Sequence, residues 1–244
     1  MKVGTFNLHQ YYELNRLNTL VTIAEKIHEL DLDIIGLQEV AEFVYDFSEE
    51  KATNTAKLLQ HILKEKYNKN YYLSLNMFKY GFPDNLEGLA MLSKHEFTSE
   101  NNVLVSNTTD STNFNKREIQ INTINYKNRE LTIVNGHYCW DNELEKFTDQ
   151  IDKLLPHLEN KQCILMGDFN NDYNTDNYKY LTNHFKDICD PKLEEEITFN
   201  YDDRQVRIDY ILTNVDYELL NHNIHFKDNM LSDHYFVTVQ IDIK

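Results

Sequence analysis

The segment Cys163–Asn170 reads CILMGDFN, four apolar residues followed by a polar turn. A short apolar run bounded by turn residues is typical of a strand that is buried on both faces. Asp168 and Asn170 follow directly where this strand stops. In layered α/β proteins, ligands bind in the crevice at the ends of strands. We therefore expect a buried strand whose end carries functional side chains.

Helical and strand patterns alternate on both sides of this segment. Apolar residues have helical spacing over residues 17–30, 56–63 and 144–155, and Pro156 is expected to bend or end the third helix. Strand patterns cover residues 3–7, 34–37, 71–76, 88–93, 103–105, 118–125, 131–135, 163–166, 207–212 and 235–243. Six glycines and three prolines leave no linker-like stretch. The chain is therefore predicted to form one layered, mixed-sheet α/β domain over residues 1–244.

Charge and composition narrow the function classes. The chain has 24 Lys+Arg against 40 Asp+Glu, a formal net charge of −16, and only five arginines. Because Lys and Arg supply most of the affinity for duplex DNA, and a negative surface repels polyanions, this balance argues against nucleic-acid partners unless a local basic groove exists. A hydrophobic content of 41% excludes an intrinsically disordered chain.

Targeting features and cysteine usage favour a reduced, cytoplasmic protein. No stretch approaches the length of a membrane helix, and the first residues lack the apolar region of a signal peptide. Cys139, Cys163 and Cys189 form no CxxC motif and cannot all pair with one another.

Polar residues recur where the predicted strands begin or end. Taken singly, each has an ordinary structural explanation: Asn7 can cap a turn, and His137 can be a structural histidine. Asp209 is harder to explain, because a carboxylate inside an apolar strand needs a partner. The turn after the Cys163 strand does not match a calcium-binding EF-hand, which requires a glycine that is missing here. Together these residues predict one polar site: Asn7, Glu39, His137, Asp168, Asn170, Asp209, Asp233 and His234.

Six short motifs carry a resemblance to a known family. They are Thr5-Phe6-Asn7, Leu37-Gln38-Glu39-Val40, Asn135-Gly136-His137, Gly167-Asp168-Phe169-Asn170, Ile208-Asp209-Tyr210 and Ser232-Asp233-His234. In this order the chain resembles the endonuclease/exonuclease/phosphatase superfamily, which includes DNase I-like and abasic-site nucleases, inositol phosphatases and bacterial sphingomyelinases. The resemblance implies a four-layer α/β sandwich of two packed mixed β-sheets flanked by helices. Residues 136–141 further resemble a sphingomyelinase-like bacterial subgroup.

The resemblance also implies roles for individual residues. It implies hydrolysis of a phosphate ester by in-line attack of water, with Mg²⁺ or Mn²⁺ as cofactor. The implied metal ligands are Asn7, Glu39 and Asp233. Asp168 would activate the water, and His137, Asn170 and His234 would act as donors, with Asp209 fixing the tautomer of His234. Phe114–Glu118 resembles the segment where DNase I-like members carry an active-site arginine, which points to Arg117.

Other hydrolytic centres are poorly supported by the sequence. No HExxH motif or paired histidine spacing indicates zinc, and no GxSxG motif indicates a serine nucleophile. For the metal-dependent centre, a small-molecule or lipid-like phosphodiester is the favoured substrate. The alternative is a nuclease, which would require Lys66, Lys69, Lys79, Lys116 and Arg117 to line one groove. A partner-binding scaffold without catalysis is the least favoured hypothesis, because the catalytic set is complete.

Loops between the predicted strands are expected to set specificity. Two contain several aromatic residues, at 43–47 and 77–83, and their side chains either contact the substrate or pack over the core. Tyr138 and Trp140, next to His137, are expected to form a wall of the pocket.

Overall fold

A computed structural model describes residues 1–11, 16–43, 54–81, 85–189 and 196–244. Within these ranges the chain forms fourteen strands and four α-helices. The helices are α1 (Arg16–Leu30), α2 (Thr55–Tyr67), α3 (Phe147–Leu158) and α4 (Asp176–Thr182). The strands are β1 (Lys2–Asn7), β2 (Ile34–Phe43), β3 (Tyr72–Tyr80), β4 (Asn85–Ser93), β5 (Phe97–Leu104), β6 (Glu118–Tyr126), β7 (Arg129–His137), β8 (Cys163–Asp168), β9 (Lys186–Asp187), β10 (Phe199–Tyr201), β11 (Arg204–Val206), β12 (Asp209–Thr213), β13 (Tyr217–His225) and β14 (Phe236–Ile243).

Two six-stranded mixed sheets form the centre of the molecule. The first has the order β13-β14-β1-β2-β4-β3, and the second has the order β5-β6-β7-β8-β12-β9. Each contains one parallel pair near its middle, β1 with β2 and β7 with β8, and its other pairs are antiparallel. Both parallel pairs end at the same cleft, which brings together side chains that are distant in sequence.

Three apolar clusters separate four layers. Helices α1 and α2 pack on the first sheet through a cluster that includes Leu20, Ile23 and Leu59. Helix α3 packs on the second sheet through a cluster that includes Phe147 and Ile151. The third cluster lies between the sheets and is built from alternating strand residues such as those at positions 3, 34, 133 and 164. The predicted four-layer α/β sandwich is confirmed.

The strand and helix predictions differ from the structure in informative places. Helix α3 continues through Pro156 to Leu158, so the proline does not end it. Leu154 and Leu158 are both buried against the second sheet, and this packing offsets the one backbone hydrogen bond that the proline removes. Leu144, predicted to lie in the same helix, is 61% exposed in the preceding loop.

Several elements were not predicted, and they share a weak apolar pattern. They are α4, β9, the separate hairpin β10–β11 and the edge strand β13. An edge or hairpin strand is only partly buried, so its residues need not alternate between apolar and polar. The prediction of one domain over residues 1–244 stays a prediction.

Two further expectations concern cysteines and membranes. Cys139, Cys163 and Cys189 are all buried and free. None of the four described helices is long and apolar enough to cross a bilayer.

Candidate active site

The predicted strand-end residues converge on one cleft of about 410 Å³. Six of the eight line it: Glu39, His137, Asp168, Asn170, Asp233 and His234. The other two, Asn7 and Asp209, are fully buried and lie behind this lining, where they contact it. A cleft of this size accommodates a ligand much larger than one phosphate group.

Glu39 is placed by a bulge and not by the end of a strand. It lies inside β2, where the pairing with β4 shifts register between Leu37 and Val40, and its φ is 48°. A left-handed conformation is strained for glutamate, and such strain is common at functional sites. Behind it, the Asn7 side-chain nitrogen donates to Glu39 Oε1 and to Asp168 Oδ2, each at 3.1 Å. Asn7 thereby links a side chain of the first sheet to one of the second.

Asp168 is held by hydrogen bonds from both sides. Its Oδ1 accepts from the backbone N–H of Asn170 at 2.9 Å, and its Oδ2 lies 3.5 Å from His137 Nε2. The Asn170 side-chain nitrogen is 3.1 Å from the same Nε2 and donates to the Tyr138 carbonyl at 2.9 Å. His137 Nε2 therefore lies between the Asn170 side-chain amide and the Asp168 carboxylate. The other ring nitrogen, Nδ1, lies 4.0 Å from Glu39 Oε1.

His234 and Asp209 form a buried pair beside Asp168. His234 Nδ1 lies 2.9 Å from Asp209 Oδ2, and its Nε2 points into the cleft, 3.5 Å from Asp168 Oδ2. The backbone N–H of Asp209 donates to Thr198 Oγ1, and that of His234 donates to Ser232 Oγ. These bonds fix the imidazole in one orientation with one ring nitrogen available to a ligand.

The buried groups have strongly shifted pKa values. Burial alone would lower the pKa of His234, but Asp209 and then Asp168 raise it to about 10. Burial raises the pKa of Asp168 to about 7, a rise that His234 opposes. Burial, followed by the positive charges of Arg117 and Lys79, lowers the pKa of His137 well below its usual value. The two histidines therefore differ at neutral pH: His234 is an imidazolium and His137 is neutral.

A pair of cations forms one wall of the cleft. Arg117, predicted from sequence, lines it and is only 4% exposed. Lys79 lines it too, and its Nζ is 2.8 Å from Glu87 Oε1, while Gln10 donates to Glu87 Oε2 at 2.7 Å. No site role was predicted for Glu87 or Gln10. The signal available in sequence was the charged Glu87 directly before the predicted strand at residues 88–93, but the orientation of its side chain depends on tertiary packing.

The aromatic wall differs from the prediction. Tyr138 is fully buried and stacks on Phe169 at 4.7 Å between ring centroids, so it lies in the core and not in the cleft. Trp140 does line the cleft and is 48% exposed. Both residues lie beyond the end of β7, where strand alternation no longer sets side-chain direction, and only Trp140 is available to a ligand.

Further lining residues come from loops and from the unpredicted hairpin. Phe199 and Arg204 of the hairpin line the cleft, and the Phe199 ring contacts the His234 ring edge-on at 4.9 Å. Phe114 lines the opposite side and is 61% exposed. Of the two predicted aromatic loops, residues 44–47 and 82–83 lie outside the described residues.

The five basic residues that a nuclease would require do not form one track. Arg117 and Lys79 line the cleft. Lys69 instead pairs with Asp31, Lys116 pairs with Glu118, and Lys66 lies over the Tyr67 ring. The described residues therefore provide a local cationic wall and no extended basic groove.

The donor set fits a hard divalent cation. Burial, and then the charge of Glu87, raises the pKa of Glu39, so its carboxylate lies in a site where a bound cation would stabilise the charged form. Asp233 Oδ1 also faces the cleft, 4.0 Å from His234 Nε2. Asp168, Asp209 and His234 offer a further group, with one ligand atom from each residue within 4.8 Å of the others. Oxygen-rich sites of this kind suit Mg²⁺ or Mn²⁺.

Comparisons with known proteins identify the family and the fold. The model of the Endonuclease/Exonuclease/phosphatase family matches residues 4–234. An endonuclease/exonuclease/phosphatase family protein from Leptotrichia buccalis superposes with a TM-score of 0.89 at 26% identity, covering 99% of both chains. The human Nocturnin catalytic domain, solved with a bound sulfate anion, gives a TM-score of 0.75 at 18% identity, covering 100% of this chain and 93% of that one.

A third solved structure extends the range of similar proteins. A mannosyl-6-phosphatase from Bacteroides thetaiotaomicron gives a TM-score of 0.70 at 16% identity, covering 99% of both chains. A search of curated proteins found no match. Since the family model spans nearly the whole chain, this protein belongs to the endonuclease/exonuclease/phosphatase family, whose members are hydrolases that act on phosphate esters.

Proposed function

We propose that this protein is a metal-dependent phosphoesterase that hydrolyses a phosphodiester, with a small-molecule or lipid-like substrate, by in-line attack of water. The observation that carries the proposal is the convergence of eight polar residues from both sheets on one cleft. Hydrogen bonds and close contacts between charged groups connect them into one network around Asp168. A scaffold that only binds a partner has no use for such a network of buried, mutually oriented ionisable groups.

Glu39 and Asp233 would hold Mg²⁺ or Mn²⁺, since both present carboxylate oxygens to the cleft. Asn7 was also predicted as a ligand; its amide oxygen accepts from the backbone N–H of His9 at 2.9 Å, and its nitrogen faces Glu39. In this orientation Asn7 fixes the Glu39 carboxylate. When bound, the cation supplies positive charge that stabilises the negative charge of the transition state.

Asp168 is suited to orient the attacking water and to accept its proton. Hydrogen bonds from Asn7 and from the Asn170 backbone fix its two oxygens. A pKa near neutrality, here about 7, is favourable for proton transfer at physiological pH. The carboxylate is only 1% exposed, so a water molecule bound there lies in a site with little competing solvent.

His234 and His137 act on the phosphate oxygens from two sides of Asp168. His234, held as an imidazolium by Asp209, donates from Nε2 to the negative charge that develops in the transition state. His137 is neutral, because burial and the nearby cations lower its pKa, and the contact with Asn170 fixes the orientation of the ring. Charged and neutral donors together stabilise the transition state more than the ground state.

The charge distribution supports a small or lipid-like substrate over a polynucleotide. The net charge is −16, and three of the five basic residues expected along a nucleic-acid track pair or stack elsewhere. Neutralising several phosphates of a duplex requires a continuous row of cations. The resemblance to a sphingomyelinase-like bacterial subgroup stays a prediction.

Hydrolysis by the purified protein with Mg²⁺ or Mn²⁺ tests the proposal. The substrates are bis-p-nitrophenyl phosphate, p-nitrophenyl phosphorylcholine, supercoiled plasmid and an abasic oligonucleotide. Asp168→Ala serves as the inactive variant, and Asp216→Asn, which changes an exposed carboxylate, serves as the matched control.

Turnover of the small diesters that requires added metal and is lost in Asp168→Ala supports the proposal. Plasmid or abasic-strand cleavage with the same dependence would replace it with a nuclease. No metal-dependent hydrolysis of any substrate would contradict it.

A further inference from the structure

Three polar residues lie buried between the two sheets, close in sequence to residues of the candidate site. They are Thr5, Gln38 and Asn135, and each is fully buried although the interface around them is apolar. No step of the proposed hydrolysis uses them. A buried amide is unfavourable unless it is hydrogen-bonded, so two amides in an apolar interface require an explanation beyond packing.

Asn135 reaches from the second sheet to the backbone of the first. Its side-chain nitrogen donates to the carbonyl of Leu37 at 3.1 Å and to that of Ala90 at 3.0 Å. Because backbone carbonyls only accept, these bonds fix which way the amide points, and Asn135 Oδ1 then accepts from Gln38 Nε2 at 2.6 Å. The same Gln38 nitrogen donates to Thr5 Oγ1 at 3.0 Å. Asn135 is therefore held in one orientation against β2 and β4.

The two carbonyls mark the point where β2 becomes irregular. Leu37 and Ala90 form the last regular pair before the bulge. Beyond this pair, Gln38 and Glu39 lie opposite a single residue of β4. A bulge interrupts the backbone hydrogen bonds of a sheet, and in this one Glu39 has a strained φ of 48°. Asn135 thus supplies side-chain hydrogen bonds at the place where the ladder is interrupted.

The two sheets approach closely at this point, and the approach requires a glycine. A Cβ at position 36 would lie 2.8 Å from Asn135 Oδ1 and 3.0 Å from the Met166 side chain. Asn135 and His137 lie two residues apart on one face of β7, and His137 Nδ1 is 4.0 Å from Glu39 Oε1. The strand that carries His137 therefore also holds the segment that carries Glu39.

We propose that Asn135 is a positioning residue, which holds the bulge of β2 from the opposite sheet and thereby sets where Glu39 presents its carboxylate to the cation. The inference rests on the proposed function, because it gives Asn135 a part in metal binding that acts through Glu39. Asn135 itself is fully buried and does not line the cleft, so it touches neither the cation nor the substrate. Groups behind a metal ligand fix its orientation, and losing one of them weakens metal binding.

Mn²⁺ binding tests this role without any need for turnover. Asn135→Leu keeps a similar side-chain volume and removes the hydrogen bonds, so calorimetry should show Mn²⁺ binding weakened by about 10-fold or more. Ser74→Ala is the matched control and should leave it unchanged, because its buried hydroxyl lies beyond Gln120, one step further along the same chain of hydrogen bonds. If Asn135→Leu does not fold, Asn135→Ala removes the same bonds and leaves more space. Wild-type Mn²⁺ affinity in the folded variant would overturn the proposal.

A double-mutant cycle tests whether Asn135 acts through Glu39. Glu39→Gln removes the carboxylate ligand, so there is no longer a carboxylate for Asn135 to position. Adding Asn135→Leu to Glu39→Gln should therefore weaken Mn²⁺ binding by less than about 2-fold further. Losses that multiply in full in the double variant would show that Asn135 contributes independently of Glu39, and would overturn the proposal.

Hydrogen exchange measures the hold on the bulge in the metal-free protein. Amides of residues 36–43 should exchange about 10-fold or more faster in Asn135→Leu than in the wild type, and Ser74→Ala should leave their exchange unchanged. Strand β14 lies in the same sheet and is the internal reference, since a loss of global stability would speed exchange in both strands. Unchanged exchange of residues 36–43, or an equal increase in β14, would overturn the proposal. If the wild type binds no Mn²⁺, the proposed function fails, and hydrogen exchange alone decides whether Asn135 holds the bulge.

Discussion

Replacing Asp209 by asparagine removes one buried negative charge with almost no change in shape. Asp209 is fully buried, and its Oδ2 lies 2.9 Å from His234 Nδ1. It is the first of the carboxylates that raise the pKa of His234 to about 10. Without that charge the imidazolium loses its main partner, so the pKa of His234 is expected to fall towards or below its ordinary value.

The size of the effect depends on pH in a definite direction. A folded-state pKa of about 10, above an unfolded value near 6.5, contributes stability that is complete below pH 6.5 and is lost as pH rises to about 10. At pH 7 this corresponds to at most about 4 kcal/mol, shared between Asp209 and Asp168. Asp209→Asn should therefore lower the free energy of unfolding by about 2–4 kcal/mol at pH 7 and by less than about 1 kcal/mol at pH 9.5.

Urea unfolding of both proteins at the two pH values, with a chelator present, measures this difference. Asp216→Asn, a change at an exposed carboxylate, should have no effect at either pH. Turnover of a diester at pH 7 should also fall by about 100-fold or more, because the donor to the transition state is no longer an imidazolium. A stability loss that is the same at pH 7 and pH 9.5 would refute the reasoning, since it would show that the pair does not act through the charge of His234.

Three further substitutions have defined outcomes. Glu39→Gln should weaken Mn²⁺ binding by about 10-fold or more in calorimetry, because it removes a carboxylate ligand. Glu25→Gln, at an exposed carboxylate, should leave the Mn²⁺ affinity unchanged. Unchanged affinity in Glu39→Gln would exclude Glu39 as a ligand. Asp168→Asn should reduce turnover by about 1,000-fold or more. It should lower the free energy of unfolding by less than Asp209→Asn does, because burial raises the pKa of Asp168 to about 7 and offsets what its charge contributes to His234; a larger loss of stability than in Asp209→Asn would make it a structural residue. Tyr138→Phe should raise the free energy of unfolding by about 1 kcal/mol, because the buried hydroxyl has no hydrogen-bond partner among the described residues. The same variant should leave turnover unchanged. Lost activity would place Tyr138 in the site.

The positions of the residues that form the candidate site could be predicted because they follow strong local patterns. Apolar runs identified the central strands, and polar residues at their ends marked the edge where a ligand binds. Asp168 ends β8, Asn170 follows it, and His137 ends β7. The register of the parallel pairs then brings the ends of β1, β7 and β8 and the bulge of β2 to one cleft.

Features that depend on irregular pairing could not be predicted. Glu39 lies in a bulge of β2 and not beyond the strand, and Lys79 follows a register shift in β3. In a regular strand, side chains alternate between the two faces of the sheet. With Phe78 buried, its neighbour Lys79 would therefore point away from the core, but the bulge buries both side chains. A one-residue change of register reverses which side chains face the cleft, and no composition or periodicity reports it.

By itself, then, the sequence determined the layered α/β class, the family and the residues that could perform hydrolysis, because these depend on local periodicity and on motifs next to strand ends. Only the tertiary structure decided which other side chains line the cleft together with these residues. It buried Tyr138 and left Trp140 open, and it placed Lys79 beside Arg117. The physical reason is that orientation, burial and the pairing of charges are set by bulges and by contacts between residues far apart in the chain, and these arise only when the two sheets pack together.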